Sequence, residues 1–162
     1  MLRIRKLAIG DESDLREIRL RALLDSPNAF GSTYEREFAF VDADWQKRLA
    51  RNDAATFVCD QDDGIAIGLV TGAIDEDISV IAWLLSMWVD PMMRGNGVAG
   101  QLIDQVIAWT KLQKCTSIRL QVTDGNTSAE RAYKKCGFRR TGNTILRERD
   151  NVTEFEMDLN LD

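Results

Sequence analysis

The chain has 162 residues, of which 44% are hydrophobic and 29% are charged, as is ordinary for one globular domain with a sizeable core. Its formal net charge of −5 argues against general affinity for nucleic acids and anionic membranes, which bind through clustered Lys and Arg. No stretch reaches the roughly 18 apolar residues that span a bilayer, and the first residues lack a signal-peptide core, so we expect a cytoplasmic protein.

The reactive residue types narrow the chemistry further. Cys59, Cys115 and Cys136 lack the close spacing of a disulfide framework or a Cys-x-x-Cys site, so we predict reduced core residues. The chain has no histidine, which removes the Cys–His and Ser–His–Asp nucleophile arrangements and most zinc sites. We therefore predict no bound metal and a direct group transfer without a covalent enzyme intermediate.

The first part of the chain predicts a strand followed by helices. Residues 2–5 alternate apolar and charged side chains, as a half-buried strand does. A helix capped by Asp11 or Ser13 is expected to run to about Asp25, where Pro27 breaks its pattern. Two shorter helical segments are expected to follow.

The next part predicts three strands. Residues 56–59 and 65–70 are apolar runs separated by the turn Asp62-Asp63-Gly64, which indicates an antiparallel hairpin. The run from Ile78 to Val89 is rich in Val, Ile and Trp, so it is expected to form a long strand that ends before Pro91.

A glycine-rich turn and a helix follow the long strand. Leu102, Ile103 and Val106 recur at helical spacing, so the helix is expected to begin near Gly97. Residues 117–122 are predicted to form the next strand. A strand, helix and strand in this order form a right-handed crossover with parallel strands, and its ligand lies at the carboxyl end of the first strand.

This turn is a predicted anion site. It comprises Arg94, Gly95, Asn96, Gly97, Val98, Ala99 and Gly100. Unpaired N–H groups and the positive end of the helix dipole converge there, and Arg94 adds a full charge. A phosphate or pyrophosphate is the expected ligand. The alternative is a plain connector in which Arg94 is solvated.

Three nucleotide-binding patterns can be compared with this turn. A Walker loop ends in Gly-Lys-Ser/Thr, which is absent here. Residues 95–100 fit the Gly-x-Gly-x-x-Gly of dinucleotide sites, but no acidic residue ends a strand about 20 residues later. The third pattern is Arg-x-x-Gly-x-Ala, formed by Arg94, Gly97 and Ala99. It resembles the acyl-CoA pyrophosphate loop of the GNAT N-acetyltransferase superfamily.

A second block carries the same resemblance. Residues 126–138 match the family's Asn-x-x-Ala-x-x-x-Tyr-x-x-x-Gly-Phe segment at every position, and they predict a second helix. Strands from Phe138 to about Arg147 and from Thr153 to Asn160 are expected to end the fold. We therefore expect a single α/β domain over residues 1–162, with a mixed, twisted central sheet flanked by helices.

The resemblance also implies roles for individual residues. Acetyl-CoA would be the co-substrate, with its pyrophosphate on the loop at residues 94–100. The backbone of three strand residues would pair with the pantetheine arm and polarise the thioester carbonyl: Met87, Trp88 and Val89. Asn126 would bond the pantetheine or cap its helix. Tyr133 would protonate the departing thiolate, or else pack its ring in the core.

The attacking amine needs a base, and the sequence leaves this base unassigned. Many family members carry a glutamate on the long strand, whereas residues 82–88 contain no acid. Glu35, Glu37, Asp90 and Ser86 acting through water are the open candidates. We predict acetyl transfer to a primary amine, and the alternative is a catalytically weak acyl-CoA-binding sensor or regulatory module.

The remaining expectations concern partners. The acceptor would be a small-molecule or peptide amine, and the acidic early segment favours a cationic one. Trp83, Leu84 and Trp88 offer no cation for a carboxylated acyl group such as succinyl, which favours acetyl. We expect no nucleic-acid or membrane partner, and a monomer and a homodimer both remain open.

Overall fold

Seven strands, distributed along the chain from Arg3 to Asn160, form one mixed sheet. The computed structural model describes residues 1–162. Its strands are β1 (Arg3–Lys6), β2 (Ala54–Asp60), β3 (Ala66–Ile74), β4 (Ile81–Val89), β5 (Ser117–Thr123), β6 (Arg139–Arg147) and β7 (Val152–Asn160). Their order in the sheet is β1-β2-β3-β4-β5-β7-β6, in which β4 and β5 are parallel and all other neighbours are antiparallel.

Five helices flank the sheet: α1 (Glu12–Asp25), α2 (Tyr34–Phe38), α3 (Asp42–Leu49), α4 (Val98–Leu112) and α5 (Thr127–Lys135). Short 3₁₀ turns occupy Pro27–Ala29 and Pro91–Met93. The predicted single α/β domain with a mixed sheet, the hairpin and the crossover are thereby confirmed. No helix combines the length and the apolar character that a membrane crossing requires.

Two local predictions need correction. Asp11 occupies the predicted N-cap position of α1, but its carboxylate accepts from the Ala8 backbone N–H at 2.9 Å and makes no capping bond to the helix, while Ser13 lies within the helix. The long strand begins at Ile81 and not at Ile78. The Asp75 carboxylate accepts from the backbone N–H of Ile78 at 2.9 Å, and this turn delays the start of the strand.

Two hydrophobic cores lie on opposite faces of the sheet. On one face, α4 buries Leu102, Ile103 and Val106 against the inward side chains of the strands, and α5 adds Tyr133. On the other face, α1 and α3 bury a second cluster that includes Trp45. Each such large apolar side chain contributes about 1.5–3 kcal/mol by burial, so these faces hold the helices in place.

Two glycines let α4 approach β3 closely. A Cβ added at Gly68 would lie 2.9 Å from Leu102 Cδ1, and one added at Gly72 would lie 3.0 Å from the Trp109 ring. Both distances are shorter than normal carbon contacts. The glycines therefore set the distance of α4 from the sheet, and with it the position of the α4 N-terminus.

A bulge interrupts the central strand β4. Leu69 of β3 faces Trp88 and Thr71 faces Leu85, so Ser86 and Met87 together oppose a single residue of β3. Ser86 has a φ of 59°, a left-handed conformation that costs energy for a residue with a Cβ. Beyond Trp83, β4 no longer pairs with β5. The two parallel strands diverge from this point.

Candidate functional site

The divergence of β4 and β5 opens a cleft of about 640 Å³. The end of β4, the loop at residues 94–100 and α5 line it. The structure brings all of the predicted site residues together there except Asn96. The Asn96 side chain instead donates to the Met93 carbonyl at 3.1 Å and so stabilises the turn.

The N-terminus of α4 presents free donors to this cleft. Gly97 precedes the helix with a φ of 79°, and no side chain caps the helix. The first bond into the helix runs from the Gln101 N–H to the Gly97 carbonyl at 3.2 Å. The preceding N–H groups of Val98, Ala99 and Gly100 have no partner within the helix. Such a terminus binds anions through its free N–H groups and its dipole.

Arg94 connects three elements beside this terminus. Its Nε donates to the Val89 carbonyl at 3.0 Å, and its Nη2 donates to Asp25 Oδ2 at 3.1 Å. An arginine carries five N–H donors, so these two bonds leave donors for a ligand. The side chain is half exposed at the edge of the cleft. Arg94 therefore has a structural role in addition to its position in the predicted anion site.

Asp25, at the end of α1, is a residue that sequence reasoning missed. Its carboxylate accepts from Trp88 Nε1 at 3.0 Å, from the Ser26 hydroxyl at 2.8 Å and from Arg94. The hydrogen bond from Trp88 is the main cause that lowers the pKa of Asp25, despite the opposing effect of desolvation. Ser26 and Ala29 line the cleft directly. No local pattern in the sequence indicates that this segment reaches the site.

The end of β4 offers its backbone to the cleft. Met87, Trp88 and Val89 line the cleft and do not pair with β5. The Met87 side chain packs on the α4 side of the sheet, whereas Trp88 is buried on the α1 side. The side chains thus belong to the two cores, and an extended ligand can pair with the free strand edge.

Tyr133 is buried on α5 with its ring edge-on to Phe138, at 5.8 Å between ring centroids. It lines the cleft, and burial raises the pKa of its phenol. The Asn126 carboxamide oxygen accepts from the Ala129 N–H at 3.2 Å and caps α5. This bond uses only the amide oxygen, and Asn126 lines the cleft. Capping and ligand binding by Asn126 are therefore compatible.

Glu37 is occupied by a buried ion network. Its side chain is 0% exposed, and it accepts two bonds from Arg19 and one from Arg48, each of 2.9 Å. Burial raises the pKa of this carboxyl, but the bonds and charge of Arg19 and the charge of Arg48 outweigh it and bring the pKa to about 2. Such a carboxylate is a weak base, and its charge is neutralised within the fold.

The other base candidates are either engaged in hydrogen bonds within the fold or exposed to solvent. Asp90 accepts from the Met92 N–H at 2.9 Å and from Arg21 at 2.8 Å. The Ser86 hydroxyl accepts from Arg19 at 2.9 Å, and Glu35 is exposed on α2. The base therefore stays unassigned.

The cysteines and acidic residues form no metal site. Cys59 and Cys115 are buried and free, as a core role requires. Cys136 is also free; it is half-buried, packs against the larger core and lines the cleft as well. It ends α5, whose inner face borders the cleft. No group of three or more His, Cys, Asp or Glu side chains is placed to hold a metal ion.

Residues 15–138 match the model of the acetyltransferase (GNAT) family. The chain belongs to this family. The match spans the cleft from α1 to Phe138 and includes both sequence blocks on which the resemblance rested. Family membership makes this protein an acyltransferase. It agrees with the position of the loop at residues 94–100, which follows the carboxyl end of β4.

Named relatives support the same class. The chain is 29% identical over 110 residues to an aminoglycoside N(6′)-acetyltransferase type 1 of Salmonella typhimurium strain LT2, covering 64% of this chain and 75% of the relative. A GNAT-family acetyltransferase from Streptococcus pneumoniae has the same fold, with a TM-score of 0.82 at 18% identity and full coverage of both chains.

A third protein similar in fold was solved with ligands. Spermidine N-acetyltransferase from Vibrio cholerae, in complex with CoA and spermine, superposes with a TM-score of 0.78 at 20% identity, covering 99% of this chain and 95% of that one. At this identity the likeness concerns the fold of the GNAT enzyme and not its acceptor.

Proposed function

We propose that this GNAT enzyme transfers the acetyl group of acetyl-CoA to a primary amine by direct attack. The observation that carries the proposal is the cleft, which places an uncapped helix N-terminus, an unpaired strand edge and a buried phenol around one space. These are the three parts that a pyrophosphate, a pantetheine arm and a thioester require. Acetyl-CoA is the co-substrate in this proposal, and no metal takes part.

The pyrophosphate would lie on the N–H groups of residues 98–100, with Arg94 beside it. Each hydrogen bond to such a charged group is worth about 1.5–3 kcal/mol. The pantetheine arm would add to the free edge of β4 as an extra strand, next to Met87 and Val89. Asn126 would donate its amide N–H groups to the same arm.

The chemical step follows from these positions. The amine nitrogen attacks the thioester carbon, and backbone N–H groups at the β4 bulge stabilise the charge that develops on the carbonyl oxygen. The tetrahedral intermediate then expels the CoA thiolate, and the former amine nitrogen releases its extra proton to solvent water to give the neutral amide. Tyr133 gives this thiolate its proton. Burial raises the pKa of the phenol, so it is protonated at neutral pH but is a weaker acid than an exposed tyrosine.

We infer that the acceptor is a cationic amine, because a sequence relative named above is an aminoglycoside acetyltransferase. The acidic early segment supports this inference less than its composition suggested, because Arg19 and Arg48 neutralise Glu37. A panel in which only neutral or anionic amines react would contradict it.

The deciding experiment is a free-thiol assay of acetyl-CoA turnover against cationic, neutral and peptide amines, with calorimetry of acetyl-CoA binding in parallel. CoA release that depends on one amine class is the expected result. Absence of acetyl-CoA binding would contradict the whole proposal.

One observation favours a second function. No carboxylate lies on β4, and Glu37 is a weak base within an ion network. A chain without an efficient base would bind acetyl-CoA and release little CoA, as a sensor or regulatory module does. Tight binding with no turnover of any amine in the panel would support this function over catalysis.

A further inference from the structure

The bulge of β4 contains a serine in a conformation that usually belongs to glycine. Ser86 has a φ of 59°, in the left-handed region that is unfavourable for a residue with a Cβ. In one common type of β-bulge, the first of the two bulged residues is a glycine in this same region. Ser86 takes that first position, ahead of Met87. Such a conformation persists where surrounding contacts hold it.

Arg19 of α1 supplies that contact. Its Nη1 donates to the Ser86 hydroxyl at 2.9 Å. Arg19 is itself fixed, because its Nε and Nη2 each donate to the Glu37 carboxylate at 2.9 Å and its guanidinium stacks over the Phe30 ring. It is also buried. The position of this donor is therefore set by α1 and α2, and the hydroxyl of Ser86 is held against them.

The bulge transmits this contact to the cleft through Met87. Met87 lines the cleft, whereas Ser86 does not. The side chain of Ser86 meets α1 on one face of the sheet, and that of Met87 packs on the α4 face. A bulge leaves backbone groups of its extra residue without a ladder partner, and β5 no longer pairs with β4 at this point. The direction of these free groups depends on the backbone angles of Ser86.

We propose that Ser86 is a positioning residue for acetyl transfer. Held by Arg19, its left-handed conformation aims the backbone N–H groups of the bulge at the thioester oxygen, and its side chain does not touch the substrate. This inference rests on the acetyl transfer proposed above. Donors stabilise a transition state only when they are aimed at the place where charge develops, and a shift of about 1 Å can lower the rate by about 100-fold.

The test compares S86A with S86G. S86A removes the hydroxyl and keeps the Cβ, so the strain remains and its support is lost. S86G removes both, and glycine adopts a positive φ readily. We expect S86A to lower kcat by about 10- to 100-fold with little change in the Kd of acetyl-CoA measured by calorimetry. S86G should recover most of the lost kcat.

The order of the two variants separates three roles of Ser86. A loss of kcat in S86A that glycine restores supports the positioning role. Equal losses of kcat in S86A and S86G would mean that the hydroxyl itself contacts the substrate, which would overturn the proposal. A wild-type kcat in S86A would also overturn it, since Ser86 would then serve the fold alone.

The matched control is K114G. Lys114 is another residue with a Cβ and a positive φ, of 63°, and it is exposed beyond the C-terminus of α4, at the helix end opposite the anion site. Glycine relieves the same kind of backbone strain there, far from the bulge. K114G should keep the kcat of the wild type. A change in its kcat as large as that of S86A would show that the effect is not specific to the bulge, against the proposal.

Hydrogen exchange separates this inference from the function on which it rests, because it requires no turnover. The backbone amides of residues 85–89 should exchange faster in S86A than in the wild type and K114G, since a released bulge opens more often. Faster exchange in S86A, together with no turnover of any amine by the wild type, would support the role of Ser86 at the bulge and contradict acetyl transfer. Turnover by the wild type, with unchanged kcat and exchange in S86A, would overturn the role of Ser86 and leave acetyl transfer standing.

Discussion

At the scale of single residues, Arg94 has two proposed roles, in ligand binding and in structure, that an experiment can separate. It lies at the expected pyrophosphate site, and it also joins the end of β4 to Asp25 at the end of α1. A substitution of Arg94 removes both functions at once. A substitution of Asp25 disturbs the bonds of its carboxylate with Arg94, Trp88 and Ser26 but leaves the Arg94 cation at the site.

R94A should raise the KM for acetyl-CoA by about 10-fold or more, because one charged hydrogen bond is worth about 1.5–3 kcal/mol. D25N should raise this KM much less, since Arg94 stays in place. Steady-state kinetics of both variants with acetyl-CoA as the varied substrate makes the comparison. Equal effects of the two substitutions would show that Arg94 acts only by holding α1.

Tyr133 offers a second test at this scale. Y133F removes the phenolic proton and preserves the buried ring that packs on Phe138. If the phenol is the general acid, kcat should fall by up to about 10² to 10⁴ with little change in acetyl-CoA affinity. Turnover kinetics and calorimetry measure the two effects. Near-normal kcat would assign Tyr133 to packing alone.

At the scale of elements, the contact between α4 and β3 positions the N-terminus of α4, where the anion site is proposed. Gly72 lies under Trp109, and Gly68 lies under Leu102 and Val98. Because Val98 is in the first turn of α4, the packing at Gly68 reaches the helix start directly. Local backbone geometry does not require glycine at either position, since neither has a positive φ. The requirement comes from the neighbouring helix.

G72A should destabilise the protein by about 1–3 kcal/mol, the usual effect of overpacking a filled core. The added Cβ would lie 3.0 Å from the Trp109 ring and 3.1 Å from Val106 Cγ1. The control is G31A, where no heavy atom lies within 4 Å of the new Cβ. Its free energy of unfolding should change by no more than about 0.5 kcal/mol. Urea unfolding measures the free energy of unfolding of both variants. If G72A is as stable as the wild type, α4 can shift away from β3 to accommodate the new Cβ.

At the scale of the whole molecule, one ion network joins three elements. Arg19 of α1 binds Glu37 of α2 and the Ser86 hydroxyl at the β4 bulge, and it also stacks over the Phe30 ring at 4.8 Å. The network therefore supports the strained Ser86 conformation from the face opposite the cleft. Since the bulge directly adjoins the part of β4 that lines the cleft, a contact between helices and strand outside the cleft supports one of its walls.

This network should make stability depend on pH. The folded pKa of Glu37 is about 2, against an ordinary value of 4.5. A depressed pKa stabilises the fold above the ordinary value, by on the order of 3 kcal/mol here, and this stabilisation is lost as the pH falls toward 2. E37Q should thus be less stable than the wild type at pH 6, and the difference should shrink by pH 3.

Urea unfolding of the wild type and E37Q at both pH values tests this prediction. The control is E35Q on the same helix, because Glu35 is exposed and makes no ion pair. It should unfold like the wild type throughout. A difference between wild type and E37Q that is the same at pH 6 and pH 3 would contradict the role of the Glu37 charge.

Much of the fold was predictable because its signals are local. Apolar periodicity, turn residues and the glycine-rich turn involve neighbours only a few residues apart, so the hairpin, the crossover and the start of α4 could be inferred. The two sequence blocks also placed the site residues on the correct elements. The sheet order that puts β7 between β5 and β6 carries no such local signal.

The sequence by itself determined the family, the element order and the cleft residues contributed by β4, the following loop and α5. The tertiary structure alone decided which charges pair. Asp25 meets Arg94 across 69 positions of the chain, and Arg19 meets Ser86 across 67. The physical reason is that the partner of an ionic group depends on how distant elements pack, whereas a strand or helix depends mainly on its own residues.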